Sequence, residues 1–103
     1  MGVAVADVDE IWFCYLLQCR DGSFYVGVAV DPEERLKKHN WGVGARFTAM
    51  RRPVTLVWME RHRSQRAARG REAELKGWSR AKKLELVAKF QRGIHPSPKD
   101  GSG

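Results

Sequence analysis

The chain is poor in the features that announce a membrane or secreted protein. In its 103 residues no apolar run approaches the roughly 20 residues that a spanning helix needs. Residues 1–10 hold three acids and no basic stretch ahead of an apolar core, so no secretory signal is expected there. There are two cysteines, Cys14 and Cys19. Their odd separation within one predicted strand points them to opposite faces, so they are poor disulfide partners. No CxxC and no Cys/His cluster suggests zinc. A reducing, cytoplasmic compartment is the expectation. Internal repeats are absent, and the only low-complexity stretch is the tail "IHPSPKDGSG".

Acids are scarce where bases are abundant. Residues 1–34 carry seven Asp/Glu against Arg20 alone, whereas residues 35–103 carry eighteen Lys/Arg against five acids, within a net charge of +7. Such segregation favours a polyanion, with nucleic acid the leading candidate, because neutralising phosphates releases condensed counterions. A solubilising surface has the same composition, so charge alone does not decide.

The length suits one domain with a single core. A strand is predicted at about 11–19 and a second at about 23–30, joined by "RDGS". A three-residue loop ending in Gly22 sets Cys19 opposite Ser23, hence Tyr15 opposite Gly27 and Leu17 opposite Tyr25. Both tyrosines then share one sheet face beside the small Gly27 and Ala29. A two-residue loop would turn Tyr15 to the other face. Asp31 as N-cap, Pro32 at the first helical position and Glu34 predict a helix over about 32–41, with Arg35 and His39 stacked four apart. "GVGARFTAMRRP" reads as a loop. "VTLVWMERH" alternates Val54, Leu56 and Trp58 with Thr55, Val57 and Met59 and reads as a third strand. Ser64 caps a helix through about Lys76, and Ser79 another through about Arg92. The fold class is α/β, a small three-stranded antiparallel sheet flanked by helices. An N-terminal extension (1–10), a domain (11–92) and a disordered tail (93–103) complete the organisation.

Two tyrosines on a hairpin, then Arg and His on a helix and Glu on a later one, resemble the GIY-YIG nuclease family. The first signature reads "FCY" at Phe13, Cys14 and Tyr15, the second "YVG" at Tyr25, Val26 and Gly27, ten residues on. Arg35 and His39 match "R-x-x-x-H", and "REAELK" is similar to the segment carrying the family's metal-binding glutamate. "DGS", "RRPV" and "SRAKK" resemble the small stand-alone bacterial members. Larger members carry an asparagine after the glutamate helix, whereas the only asparagine here is Asn40.

The resemblance implies a DNA endonuclease. Phosphodiester hydrolysis needs an activated water, a counter-charge for the transition state and help for the leaving oxygen. The family roles would fall on Tyr15 and Tyr25 as the pair that positions and deprotonates water, Arg35 as counter-charge, and His39 as hydrogen-bond partner or proton relay of a tyrosine. Either tyrosine can be the base. Magnesium or manganese needs few protein carboxylates, so one glutamate suffices. Periodicity does not choose between Glu72 and Glu74, which both flank the apolar stripe Ala67, Ala68, Leu75 and Trp78; the family pattern selects Glu72. Gly27, Arg46, Arg51 and Arg52 are the expected nucleic-acid contacts. Trp12, Trp58 and Trp78 read as core, Trp41 as a base-stacking or helix-end residue, and His62 and His95 as surface. A phosphate-gripping module without turnover, or a nuclease subunit targeted by a protein partner, would carry the same residues. Single-stranded, branched and duplex DNA are not distinguished.

Overall fold

The computed structural model describes residues 10–93. Most of the expected N-terminal extension, and the expected tail beyond Gly93 with His95, lie outside the described residues. Three strands, β1 (Trp12–Cys19), β2 (Phe24–Ala29) and β3 (Val54–His62), form one antiparallel sheet in the order β2-β1-β3. Helix α1 (Pro32–Asn40) follows the hairpin, a single turn α2 (Arg46–Ala49) precedes β3, and α3 (Gln65–Lys76) and α4 (Arg80–Gly93) close the domain. The α2 turn departs from the expected loop. None of these helices is long and apolar enough to cross a membrane.

β1 is the middle strand and both its faces are covered, which is why Cys14, Tyr15, Leu16 and Leu17 are consecutively buried rather than alternating with polar residues. Cys14, Leu16, Val26, Val57 and Trp58 pack with Leu75 of α3 and Val87 of α4, flanked by Trp78, Leu86 and Phe90. Tyr15, Leu17, Cys19, Ala29 and Val54 pack on the opposite face, with Leu36 of α1 against them. The two cysteines are free and lie in different cores.

In β3 the predicted strict alternation is corrected by a bulge. Leu16 pairs with Trp58 but Leu17 with Leu56, so Val57 is the extra residue. Val54, Leu56 and Met59 consequently face one core while Val57 and Trp58 both face the other. Side-chain caps start the helices: Asp31 Oδ1 accepts from Glu34 N at 3.1 Å, Ser64 Oγ from Ala67 N at 3.1 Å, and Ser79 Oγ from Lys82 N at 3.2 Å. Each satisfies a donor left unpaired in the first turn.

Candidate active site

The hairpin turn fixes the floor of the site. Gly22 has φ +89° and its N–H donates to Cys19 O at 2.8 Å, while Cys19 N donates to Ser23 O at 2.8 Å, the register of the glycine-bulge loop. Tyr15 is thereby opposite Gly27, and Leu17 opposite Tyr25. A Cβ on Gly27 would stand 2.5 Å from Oη and 2.6 Å from Cζ of Tyr15. No side chain but hydrogen fits there, so the glycine is what lets the tyrosine ring lie across β2. Tyr15 is 1% exposed, while Tyr25 is half-buried.

Helix α1 supplies the next two groups. Arg35 is exposed at the cleft, and one turn on, His39 is 1% exposed. Nε2 of His39 lies 3.1 Å from the Tyr15 hydroxyl and Nδ1 lies 2.7 Å from Thr48 Oγ1. The Thr48 hydroxyl donates its one proton to the Ala45 carbonyl at 3.0 Å. It must therefore accept from Nδ1–H, which leaves Nε2 as the acceptor for the Tyr15 hydroxyl. The result is a directed chain from Tyr15 through His39 and Thr48 to Ala45. A Cβ on Gly44 would collide with the imidazole. Burial, with the Arg35 charge adding to it, holds the His39 pKa below its usual range, in keeping with a neutral ring. Burial and then the neighbouring Tyr25 push the Tyr15 phenol up, against a downward pull from Arg35.

Asn40 finishes α1 and locks it. Its Nδ2 donates to Val54 O at 3.0 Å and its Oδ1 accepts from Val54 N at 2.7 Å. The asparagine thus pairs with the first peptide of β3 as a strand would, holding the helix that bears Arg35 and His39 against the sheet.

Tyr15, Tyr25, Arg35 and Glu72 line one polar cleft of about 220 Å³, with Trp12 and Arg69 beside them. Trp12, expected in the core, is half-buried at this cleft because its position at the start of β1 reaches past the packed part of the sheet. The two glutamates of α3 are separated by their neighbours. Glu72 faces the cleft and pairs with Lys76 Nζ at 3.4 Å. Glu74 points away and accepts from Arg71 at 3.0 Å, an arginine that also holds Glu60 at 3.0 Å. Among the described residues no three His, Cys, Asp or Glu side chains gather as a metal cage. A single cleft-facing carboxylate suits a hard cation that keeps most of its waters, as magnesium does, and does not suit a structural zinc.

The expected phosphate contacts divide. Arg46 is exposed on α2. Arg51 is engaged internally: Nε donates to Asp21 at 3.2 Å, Nη1 to Phe47 O at 2.9 Å, and the guanidinium lies 3.9 Å over the Phe47 ring. Arg52 donates to Ala49 O at 2.9 Å and Asn40 O at 3.3 Å, beneath Gly42 at φ +87°. Arg51 and Arg52 thus fasten the segment around α2, the turn that carries Thr48. His62, read as surface, is half-buried and bonds Glu60 at 2.9 Å. Trp41 caps the C-terminal end of α1 through its backbone N–H and leaves its side chain 66% exposed. Sequence reading missed Gly44 and Thr48 as site residues; their only signal was a threonine shortly after a glycine pair, which has no periodicity to weigh.

A tyrosine-bearing hairpin over a glycine floor, with Arg and His on the following helix and a glutamate across the cleft, defines the GIY-YIG class. The GIY-YIG catalytic domain matches residues 11–85, and the chain belongs to this family. It is 47% identical over 76 residues to the UPF0213 protein SSP2268 of Staphylococcus saprophyticus, covering 74% of this chain and 93% of that one. It is likewise 47% identical over 75 residues to a UPF0213 protein of Staphylococcus aureus, covering 73% and 92%. Among solved structures it is similar to the solution NMR structure of protein EF2693 from E. faecalis, with a TM-score of 0.55, 32% identity, and coverage of 88% and 97%.

Proposed function

We propose that this protein is a divalent-metal-dependent endonuclease that hydrolyses DNA phosphodiester bonds. The observation that carries this reading is the meeting of Tyr15, Tyr25, Arg35 and Glu72, from four separate elements, around one cleft. Membership of the GIY-YIG family supports it.

The Tyr15 oxygen accepts a proton from the attacking water while its own proton passes to Nε2 of His39, the acceptor that Thr48 leaves free. The relay answers the raised phenol pKa, because Tyr15 need not stand as a free phenolate. The low basicity of the buried His39 returns that proton to the Tyr15 oxygen as Tyr15 passes its own to the departing alkoxide, so both groups end as they began. Tyr25, on the same wall, orients the water, and the exposed Arg35 neutralises charge growing on the phosphoryl oxygens. A magnesium or manganese ion held by Glu72 would supply Lewis-acid stabilisation of that charge and of the leaving oxygen.

The test is incubation of the purified protein with end-labelled single-stranded, branched and duplex DNA in magnesium or manganese, with and without chelator. Metal-dependent cuts in at least one form are expected. Binding without cuts in every form would leave a phosphate-gripping module, and cuts only with an added protein would leave a partner-dependent subunit.

A further inference from the structure

Beside the polar cleft lies a second, apolar one of about 240 Å³, walled by Phe24, Tyr25, Val26 and Phe47 and edged by Lys76 and Lys83. We propose that this groove holds an unpaired nucleobase next to the scissile phosphate. The inference rests on the nuclease reading and specifies the form of DNA it acts on.

Continuity supplies the first reason. Tyr25 lines both clefts, so its ring is the partition between them. The Lys76 that edges the apolar groove is also the residue paired with Glu72 of the polar one. A phosphate at Arg35 and a base against the far side of Tyr25 are thus neighbours within one strand. The walls supply the second. The Tyr25 and Phe47 rings lie nearly parallel, 26° apart with centroids at 6.3 Å, and Phe47 is 37% exposed although it belongs to neither core. Phe47 already carries the Arg51 guanidinium at 3.9 Å and has Tyr25 beside it, and the part of its ring that stays exposed is surface on which a base can stack next to that cation.

Charge supplies the third. Lys76 and Lys83 stand at the rim, Arg51 lies 3.9 Å over Phe47, and Arg80 lies 5.3 Å from the Phe24 ring. Flat apolar walls under a cationic rim complement a base on its phosphate backbone better than a purely apolar partner. A base inside a duplex has its faces covered by its neighbours, so the groove selects DNA with at least one unstacked nucleotide.

The test uses the full chain carrying Glu72→Gln, which keeps the DNA intact, and a short single-stranded oligonucleotide containing 2-aminopurine. Stacking on Phe47 is expected to quench the 2-aminopurine, and the fully paired duplex is expected not to respond. Phe47→Leu keeps an apolar side chain without a ring and should weaken single-strand binding roughly 5- to 150-fold. Phe47→Tyr should restore it. Duplex affinity should be the same in all three proteins. Unchanged fluorescence, or equal loss of single-strand and duplex affinity in Phe47→Leu, would overturn the groove. So would a wild-type dimer that Phe47→Leu makes monomeric while its DNA binding stays the same. Failure of the two readings is distinguishable: quenching by a protein that cuts nothing removes the nuclease and keeps the groove. Wild-type cleavage of every DNA form by Phe47→Leu alone removes the groove and keeps the nuclease.

Discussion

The Tyr15 hydroxyl donates to His39 Nε2 across 3.1 Å, joining the middle strand to a helix residue 24 positions later. The bond runs in that direction because Thr48 occupies the other side of the ring. A buried threonine hydroxyl thus sets which nitrogen of the histidine can receive a proton.

Replacing Thr48 by valine should therefore cost both stability and turnover. The Nδ1–H would be buried without an acceptor, a loss of about 1–3 kcal/mol. The ring proton could then move to Nε2 and oppose the Tyr15 hydroxyl. Thermal unfolding, cleavage rates and 15N chemical shifts of the imidazole measure the three effects, and Thr48→Ser should restore all of them.

Glu72→Gln should abolish cleavage while DNA affinity stays near wild type, since shape is kept and the metal-anchoring charge is lost. Glu74→Gln is the control and should cut normally, its exposed pair with Arg71 contributing about 0–1 kcal/mol. Parallel gel-shift and cleavage assays separate the two. The reverse pattern would show that the metal had been assigned to the wrong face of α3.

Gly27→Ala inserts a methyl where the Tyr15 phenol lies. Overpacking of this kind costs about 1–3 kcal/mol, and displacement of the ring should break the bond to His39. Lower thermal stability together with lost cleavage is expected; wild-type values for both would show that the ring has room to move.

DNA affinity should fall steeply with salt. Arg46→Ala should weaken binding to all sequences alike and leave unfolding unchanged, because the side chain is exposed. Arg52→Ala should instead lower stability, because its guanidinium holds the Ala49 and Asn40 carbonyls. Salt titrations of binding and chemical denaturation of both variants test the distinction.

The depressed pKa of His39 gives a signed pH effect. The unfolded chain takes up a proton near the ordinary value of 6.5, whereas the folded ring resists it until lower pH. The contribution of His39 is therefore present above 6.5 and lost as pH falls through the folded pKa. Denaturation of wild type should show this decline, and His39→Gln should flatten it.

Much of the site was legible in the sequence because it rests on short-range geometry. The "RDGS" turn fixed the register of both tyrosines, and a four-residue spacing put Arg35 and His39 on one side of α1. Ser64, Ser79 and Asp31 marked the helix starts through their own backbone chemistry. What escaped depends on contacts distant along the chain. The bulge at Val57 arises from pairing with β1, so alternation within β3 alone could not reveal it. Asn40 was read only as the chain's sole asparagine, yet it pairs with a strand fourteen residues away. For Arg51 and Arg52, composition records the charge and not the Asp21, Phe47, Ala49 and Asn40 groups that they also meet.

The placement of Cys14 and Cys19 on opposite sides of β1 gives the molecule two chemical clocks. Burial pushes the Cys14 thiol up to about 12, with Glu60 and Glu72 adding to it, and burial raises Cys19 as well. Neither is a ready thiolate while folded, so an alkylating reagent waits for local opening. Cys14 times the parting of α3 and α4 from the sheet, and Cys19 times the loosening of the face beneath α1. Mass spectrometry after pulsed labelling would read the two separately and reveal whether the half of the domain that carries Arg35 and His39 breathes independently of the half that holds Glu72.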